Sequence, residues 1–469
     1  MRLPRLAGIA LVACLLLLAA TTGAAGNANS ALEVVARNSV VLTKPQGGVP
    51  VTHSAKAPLL GNGSFGAALG GTPDKLCFHI ARNDFWRLKD GHDEAWPAAL
   101  GKISLDIPAL KGASYFVEHD IAGAVFKGRF EKPATGGTAA TGVTLKAWLA
   151  ATADVLVIEI TPTTPAATAT TAASALTGTV SLDFPGAAEM RGKKPLFPAD
   201  YDTRKSCVTC HGIATFTRGF EGVDIPTKSA AALLTTLVPA TTASTSAGST
   251  GTGAEVEILK PEKPATPTSN VVTKFTLTPG KTLRLLCATN SNFKSRNAGG
   301  AVKWLIPLAK QKSLQNTALA DLENEHKNWW KNYWEKSWVA LPATTEARQI
   351  EKQYYLSLYG LAATSRDPDF PPGLFGIWTT AEIPAWSGDY HLNYNYQAAF
   401  YGLYNANRLE QANTYWRPLL AFMEKGRKYA QALHGIEGES ILYPVGIGPL
   451  GIDSVAWTPR MEKMVLPFF

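Results

Sequence analysis

The chain has 469 residues, of which 46% are hydrophobic and 9% aromatic. That suffices for two or three domains with large buried cores, and it excludes intrinsic disorder as the default state. The 45 basic and 37 acidic residues leave a formal charge of +8. They are dispersed, with no Lys/Arg block of the kind that tracks a phosphate backbone, so no nucleic-acid partner is expected.

The N-terminus runs from basic MRLPR through apolar LAGIALVACLLLLAA to small and polar TTGAAGNANS. This is the order of a secretory signal peptide, expected to span residues 1–25 with cleavage after Ala25. Leu11-Val12-Ala13-Cys14 resembles a lipoprotein processing box, but four leucines follow Cys14, whereas a mature lipoprotein starts polar. The expected location is therefore secreted or periplasmic, with anchoring at Cys14 the lesser alternative and no stable membrane insertion once the signal is removed. Cys77, Cys207, Cys210 and Cys287 remain, and an oxidising compartment would allow one or two disulfides of unspecified pairing.

Residues 33–290 read as a β-sandwich domain. Short apolar runs at Val34–Ala36, Gly101–Ile107, Val155–Ile160 and Leu283–Cys287 have strand length, and Gly, Pro, Asn and Thr tracts separate them. Two tracts, 161–179 and 239–255, are Thr/Ala/Ser-rich and too poor in large apolar residues to build a core, so they read as solvated loops. The sequence CVTCH, with Cys207, Cys210 and His211, spells a haem c attachment pattern. Its surroundings are strand-like and its nearest methionine, Met190, lies in a Pro-flanked stretch. A c-type haem protein is thus a remote alternative, behind a loop disulfide or two free thiols.

After Ser291 the pattern turns helical. Residues 291–345 read as a linker with a Trp-rich helix, in which Leu319, Leu322, His326, Trp329 or Trp330, and Tyr333 form one stripe and Ser313 is the N-cap. Two further helices are expected, one over EARQIEKQYYLSLYGLAATSR and one over LEQANTYWRPLLAFMEKGRKYAQALHG, the latter closed by Gly435.

Between them, residues 371–410 are crowded with polar and aromatic groups: Asp389, His391, Asn393, Asn395 and Gln397 stand among tyrosines. Polar groups at such density must bond one another or face a cavity. An extended chain would set Asn393, Asn395 and Gln397 on one side, as a row of amides suited to sugar hydroxyls or a held water. Trp378 and Trp386 offer flat apolar faces for a pyranose ring. The tyrosines and Phe400 read mainly as helix packing, and Asn62-Gly63-Ser64 as a tight turn that also spells a glycosylation sequon. Nothing in the spacing selects among Glu382, Glu437, Glu439 and Asp453 as a further carboxylate for the cavity.

The segments PPGLFGIW…PAWSGDYHLNYNYQ and PLLGNGSFGAALGGTPDKLCFHIARNDFW resemble glycoside hydrolase family 95, the α-L-fucosidase-type members of the six-hairpin glycosidase superfamily. The resemblance implies a β-sandwich followed by an α-helical (α/α)6-toroid-type domain, here over residues 346–469. It implies inverting, water-attack hydrolysis of an α-linked sugar, an α-L-fucoside or a related one, in an oligo- or polysaccharide substrate, with no cofactor. Asn393 and Asn395 match the asparagines that hold the attacking water, and Asp389 and His391 fall on the sugar subsite. An amide cannot itself take the proton, so a carboxylate must stand behind it. A six-hairpin toroid needs twelve helices, whereas roughly five fit between Ser313 and Phe469, so the toroid is expected to be incomplete at the C-terminus. A catalytically inactive carbohydrate-binding or scaffold fragment is the alternative. No metal site is expected, since Cys207, Cys210 and His211 lack a fourth ligand.

Overall fold

The structure, a computed structural model, describes residues 30–454 apart from 48, 91–93, 135–139, 164–174, 186–201, 241–255, 294–295 and 298. The expected signal peptide, Cys14 and Met190 lie outside the described residues, as does most of the two Thr/Ala/Ser tracts.

Short helix α1 (Ala31–Ala36) opens the described chain. Strands follow as β1 (Val40–Leu42), β2 (Leu59–Gly61), β3 (Phe65–Thr72), β4 (Lys75–Lys89), β5 (Glu94–Asp106), β6 (Phe116–Asp120), β7 (Val125–Lys132) and β8 (Thr141–Leu149). The set continues with β9 (Val155–Pro162), β10 (Leu176–Asp183), β11 (Thr203–Val208), β12 (Ile213–Phe220), β13 (Thr227–Pro239), β14 (Glu257–Ile258), β15 (Val271–Leu277) and β16 (Lys281–Ser291). One sheet of ten strands has the order β1-β6-β7-β8-β9-β16-β13-β12-β11, with β14 paired to β13, and the other has six in the order β15-β10-β5-β4-β3-β2. Alternating inward residues of both, among them Phe65, Phe78, Ile103, Phe126, Leu145, Ile158 and Leu285, form the core between them. The expected β-sandwich is present.

Val34–Ala36 is helical rather than extended. Ser30 and Glu33 form a reciprocal capping box, a Ser-x-x-Glu signal that starts a helix and overrides the β-branched pair. Helix α2 (Ala301–Lys310) lies in the stretch read as linker ahead of the Trp-rich helix, and it carries Pro307 inside it. It survives by packing Leu305 and Leu308 on Trp148, Leu234 and Leu286, on the outer face of the larger sheet.

The helical region comprises α3 (Leu314–Glu335), α4 (Thr345–Thr364), α5 (Asn395–Asn405), α6 (Leu409–Ala412) and α7 (Trp416–His434), fewer than a full toroid holds among the described residues. In α3 the buried stripe is Leu319, Leu322, His326, Trp330 and Tyr333. Ser313 precedes it without a side-chain cap bond. His326 donates from Nε2 to the Gly123 carbonyl at 2.8 Å, and burial pushes its pKa down to about 4. The last expected helix is two, broken after Ala412, and Gly435 ends α7 in the left-handed region at φ 63°.

Two devices join sandwich to helices. Gly61 lets β2 approach α4: a Cβ there would lie 2.5 Å from the Ala363 carbonyl oxygen. Asn62 is fully buried, its amide bonded to the Ala150 and Ala153 carbonyls and to Asp154, so the sequon is structural and closed to glycosylation. The second device is Glu351 of α4, which accepts from Arg37 at 2.8 and 2.6 Å, Asn38 at 2.9 Å and the Leu341 N–H at 2.7 Å. Burial alone would raise its pKa, but these donors hold it down at about 2, below the ordinary 4.5. Its folded pKa is depressed, so its contribution to stability is present above about 4.5 and is lost as pH falls toward about 2. Urea midpoints measured across pH 2–7 are expected to show this acid limb, and Glu351→Gln should lower stability at pH 7 and flatten the limb.

Candidate active site

The segment between α4 and α5 folds over the end of the sandwich, and the N-terminal motif holds it there. Strand β4 bulges where Ala81 pairs Ala99 but Trp86 pairs Pro97, four residues against one, which takes Arg82–Phe85 out of the pairing with β5 while Arg82 still pairs Phe65 of β3. Within this bulge Asn83 donates to the Phe370 carbonyl at 2.9 Å. Trp86 bonds back to the Asn83 carbonyl at 2.7 Å and packs on Tyr390 with ring centroids 5.4 Å apart. Trp378 donates its indole N–H to the Leu60 carbonyl at 2.7 Å, which fixes the plane of its ring.

Tyr390 and His391 form a two-residue strand, β17, paired antiparallel with β18 (Gly446–Ile447). The approach to β17 is strained, with φ of 47° at Trp386, 56° at Ser387 and 57° at Gly388. Left-handed backbone at two consecutive non-glycine residues costs energy and is held by its surroundings. Asp389 follows and is buried. Its Oδ1 is 2.9 Å from His391 Nδ1, and its Oδ2 accepts from the Ser454 hydroxyl. Burial pushes the Asp389 pKa up, and the His391 and Ser454 bonds only partly offset it.

Asp389 and His391 stand in a cleft of about 480 Å³ between α4, α5 and the 372–378 loop. Trp378, Asn395, Tyr396 and Phe400 line it with them, and Ser357 and Thr364 contribute hydroxyls. Of the residues expected at a site, the structure thus brings together Trp378, Asp389, His391 and Asn395. It does not bring in Asn393, Gln397 or Trp386.

The row of amides is not extended. Asn393 sits exposed in a turn and Asn395 opens α5, so a spacing of two no longer places the side chains together. Gln397, at the third position of α5, accepts from the Tyr394 N–H at 3.1 Å and donates to the Leu392 carbonyl, which makes it a helix cap. Trp386 is 60% exposed and meets His53 edge-on at 5.3 Å. Tyr396 and Phe400 both pack and line the cleft, whereas Tyr394, Tyr401 and Tyr404 are exposed.

The other carboxylates are engaged elsewhere. Glu382 is buried against Arg218 of β12, Glu439 pairs with Arg427 at 2.7 Å, and Glu437 is exposed. Asp453 accepts from the Tyr429 hydroxyl at 2.7 Å. Ser454 carries no sequence signal, since it lies 65 residues from the aspartate it bonds.

Residues 308–443 match the family model for the glycosyl hydrolase family 95 catalytic domain. This matched segment makes up 136 of the chain's 469 residues. It contains α3 to α7, Trp378, Asp389, His391 and Asn395, while Ser454 lies beyond it. Over 78 residues the chain is 35% identical to "Probable alpha-fucosidase A" of Aspergillus niger, covering 16% of this chain and 10% of that one. Among solved structures it is similar to a human-microbiome protein assigned as a kojibiose phosphorylase, at a TM-score of 0.56 and 12% identity, over 89% of this chain and 53% of that one. That likeness concerns the fold alone, a β-sandwich followed by helices. A bacterial glucoamylase solved with acarbose aligns over 83% of this chain and 54% of that one, at a TM-score of 0.40 and 8% identity. The chain spans about half the length of these two structures and a tenth of the fucosidase.

The CVTCH sequence lies apart from the family 95 segment, at the tip of the β11–β12 hairpin. Cys207 pairs with Thr215 in the ladder, and Cys210 and His211 occupy the turn closed by the Gly212 N–H to Thr209 carbonyl bond at 3.1 Å. Val208 and Thr209 lie between the two cysteines, one of which is in the strand and the other in the turn. None of Cys77, Cys207, Cys210 and Cys287 forms a disulfide. Among the described residues no group of three or more His, Cys, Asp or Glu side chains is placed to hold a metal, and no helix is long and apolar enough to cross a membrane.

Proposed function

We propose that the chain is an exported glycoside hydrolase of family 95 type, acting on an α-linked sugar, an α-L-fucoside or a related one, within an oligo- or polysaccharide. The observation that carries this reading is the cleft itself: buried Asp389 bonded to half-buried His391, the Asn395 amide and the fixed Trp378 ring converge within the segment that matches the family 95 model. An indole face takes the apolar C–H side of a pyranose, while carboxylate, imidazole and amide take its hydroxyls.

In this reading Asn395 orients a water and Asp389 accepts its proton as the oxygen attacks the anomeric carbon, with inversion. The glycosidic C–O bond breaks in the same step, and the aglycone oxygen leaves with the electron pair and takes a proton from solvent. His391 holds Asp389 in place through Nδ1 and presents the rest of its ring to the sugar. Release of 4-nitrophenol from 4-nitrophenyl α-L-fucoside is the test, with the first-formed sugar anomer read by NMR. Turnover giving the β-anomer first is expected, and Asp389→Asn should lower kcat by 10²-fold or more, on the order of general-base effects. Absence of turnover on α-fucosides and α-galactosides by folded protein would refute hydrolysis.

One observation favours a second reading, carbohydrate binding without turnover. Inverting hydrolysis uses two carboxyl groups, and Asp389 is the one carboxylate lining the cleft among the described residues. Quenching of tryptophan emission by sugar without release of aglycone would select this reading.

A further inference from the structure

A second cleft, of about 460 Å³, shares Trp378 and Gly360 with the sugar cleft but none of Asp389, His391 or Asn395. Its walls are Val40 and Leu42 of the edge strand β1, Leu356 and Tyr359 of α4, with Lys56 exposed at its mouth. His119 of β6 is its buried polar member. The imidazole is clamped edge-on by Phe126 and Tyr359, at centroid distances of 5.0 and 4.8 Å, and its Nε2 has no hydrogen-bond partner. The Tyr359 hydroxyl is already committed to the Leu59 carbonyl at 2.7 Å.

We propose that this cleft binds a small aromatic alcohol, a phenol-class ligand whose ring packs against Trp378 and Tyr359 and whose hydroxyl pairs with His119. A buried imidazole nitrogen without a partner is costly, and a single ligand hydroxyl would satisfy it. The lining is too apolar for a sugar, which would leave most of its hydroxyls unpaired, whereas an aryl ring with one polar group matches both the walls and the lone imidazole. Burial also keeps His119 uncharged at neutral pH by pulling its pKa down to about 4, so the ring offers a neutral donor and acceptor. The proposal stands on this cleft alone and does not require hydrolysis in the neighbouring one.

The test is titration of the full chain with 4-nitrophenol, followed by calorimetry and by the ¹H–¹⁵N resonances of the His119 ring. Saturable binding that shifts the His119 resonance is expected, equal in wild type and Asp389→Asn. Leu356→Trp, which fills this cleft alone, should weaken binding at least about tenfold. No saturable binding, an unmoved His119 resonance, or full binding by Leu356→Trp would each overturn the proposal. Should the variant not fold, the His119 resonance in wild type decides. Methyl α-L-fucoside titrated in parallel separates the sites: its failure alone counts against the proposed function and leaves this cleft standing.

Discussion

Arg218→Met is expected to destabilise the protein by about 3–5 kcal/mol, the usual cost of removing one partner from a buried ion pair. The Arg218 guanidinium is buried in the sandwich and donates to Asp202, to the Ala99 carbonyl and to Glu382 of the site segment. Its loss removes the cation shared by two buried carboxylates, leaves Asp202 with Arg204 at 3.1 Å, and releases the segment from β12. Urea unfolding of wild type and variant measures the difference. Adding Glu382→Leu to the variant should recover part of the loss, since an apolar pair tolerates burial better than an orphaned charge. A cost below about 1 kcal/mol, the range of a surface pair, would show that Arg218 does not tie the two regions together.

Gly446→Ala should disable the cleft. A Cβ at position 446 would lie 1.9 Å from Asp389 Oδ2 and 2.7 Å from the Ser454 hydroxyl, so either the carboxylate or the β17–β18 pair must move. Overpacking of this kind costs about 1–3 kcal/mol, and sugar binding should fall by at least tenfold with the Asp389–His391 geometry. Gly448→Ala is the matched control. Its φ of −97° suits alanine and its Cβ would make only ordinary contact with Ile452 at 3.6 Å, so its effect should stay within about 0.5 kcal/mol. Thermal unfolding and calorimetry of the two variants read both effects, and equal behaviour would contradict the role given to Gly446.

Much of the fold was legible where one periodicity ruled a whole element. The α3 stripe from Leu319 to Tyr333 and the Gly435 cap follow from local chemistry alone, and strands such as Val155–Ile160 are long enough to read directly. Errors arose where a short signal competed with a stronger one. The capping box at Ser30–Glu33 outweighed Val34-Val35, and tertiary packing on the sheet makes a helix, α2, of part of the stretch read as linker, Pro307 included. At the site the residue types were readable but their placement was not. Spacing two implies convergence only in an extended chain, and α5 starts at Asn395, which sends Asn393 and Gln397 away from Asp389. Trp378 and Trp386 looked equivalent in sequence, yet Leu60 orders one ring while left-handed backbone turns the other outward. Gly446 and Ser454 reach Asp389 only through the β17–β18 pairing, which no local pattern announces.

The central claim is that Asp389, His391, Asn395 and Trp378 form one sugar-binding cleft. Saturation-transfer NMR with methyl α-L-fucoside tests it most directly, because it needs no turnover. Transfer to the sugar protons is predicted for the wild-type chain, with loss in Trp378→Ala and Asp389→Ala while Trp386→Ala, outside the cleft, binds as wild type. Absence of transfer to the folded wild-type chain, or equal transfer in all four proteins, would contradict it.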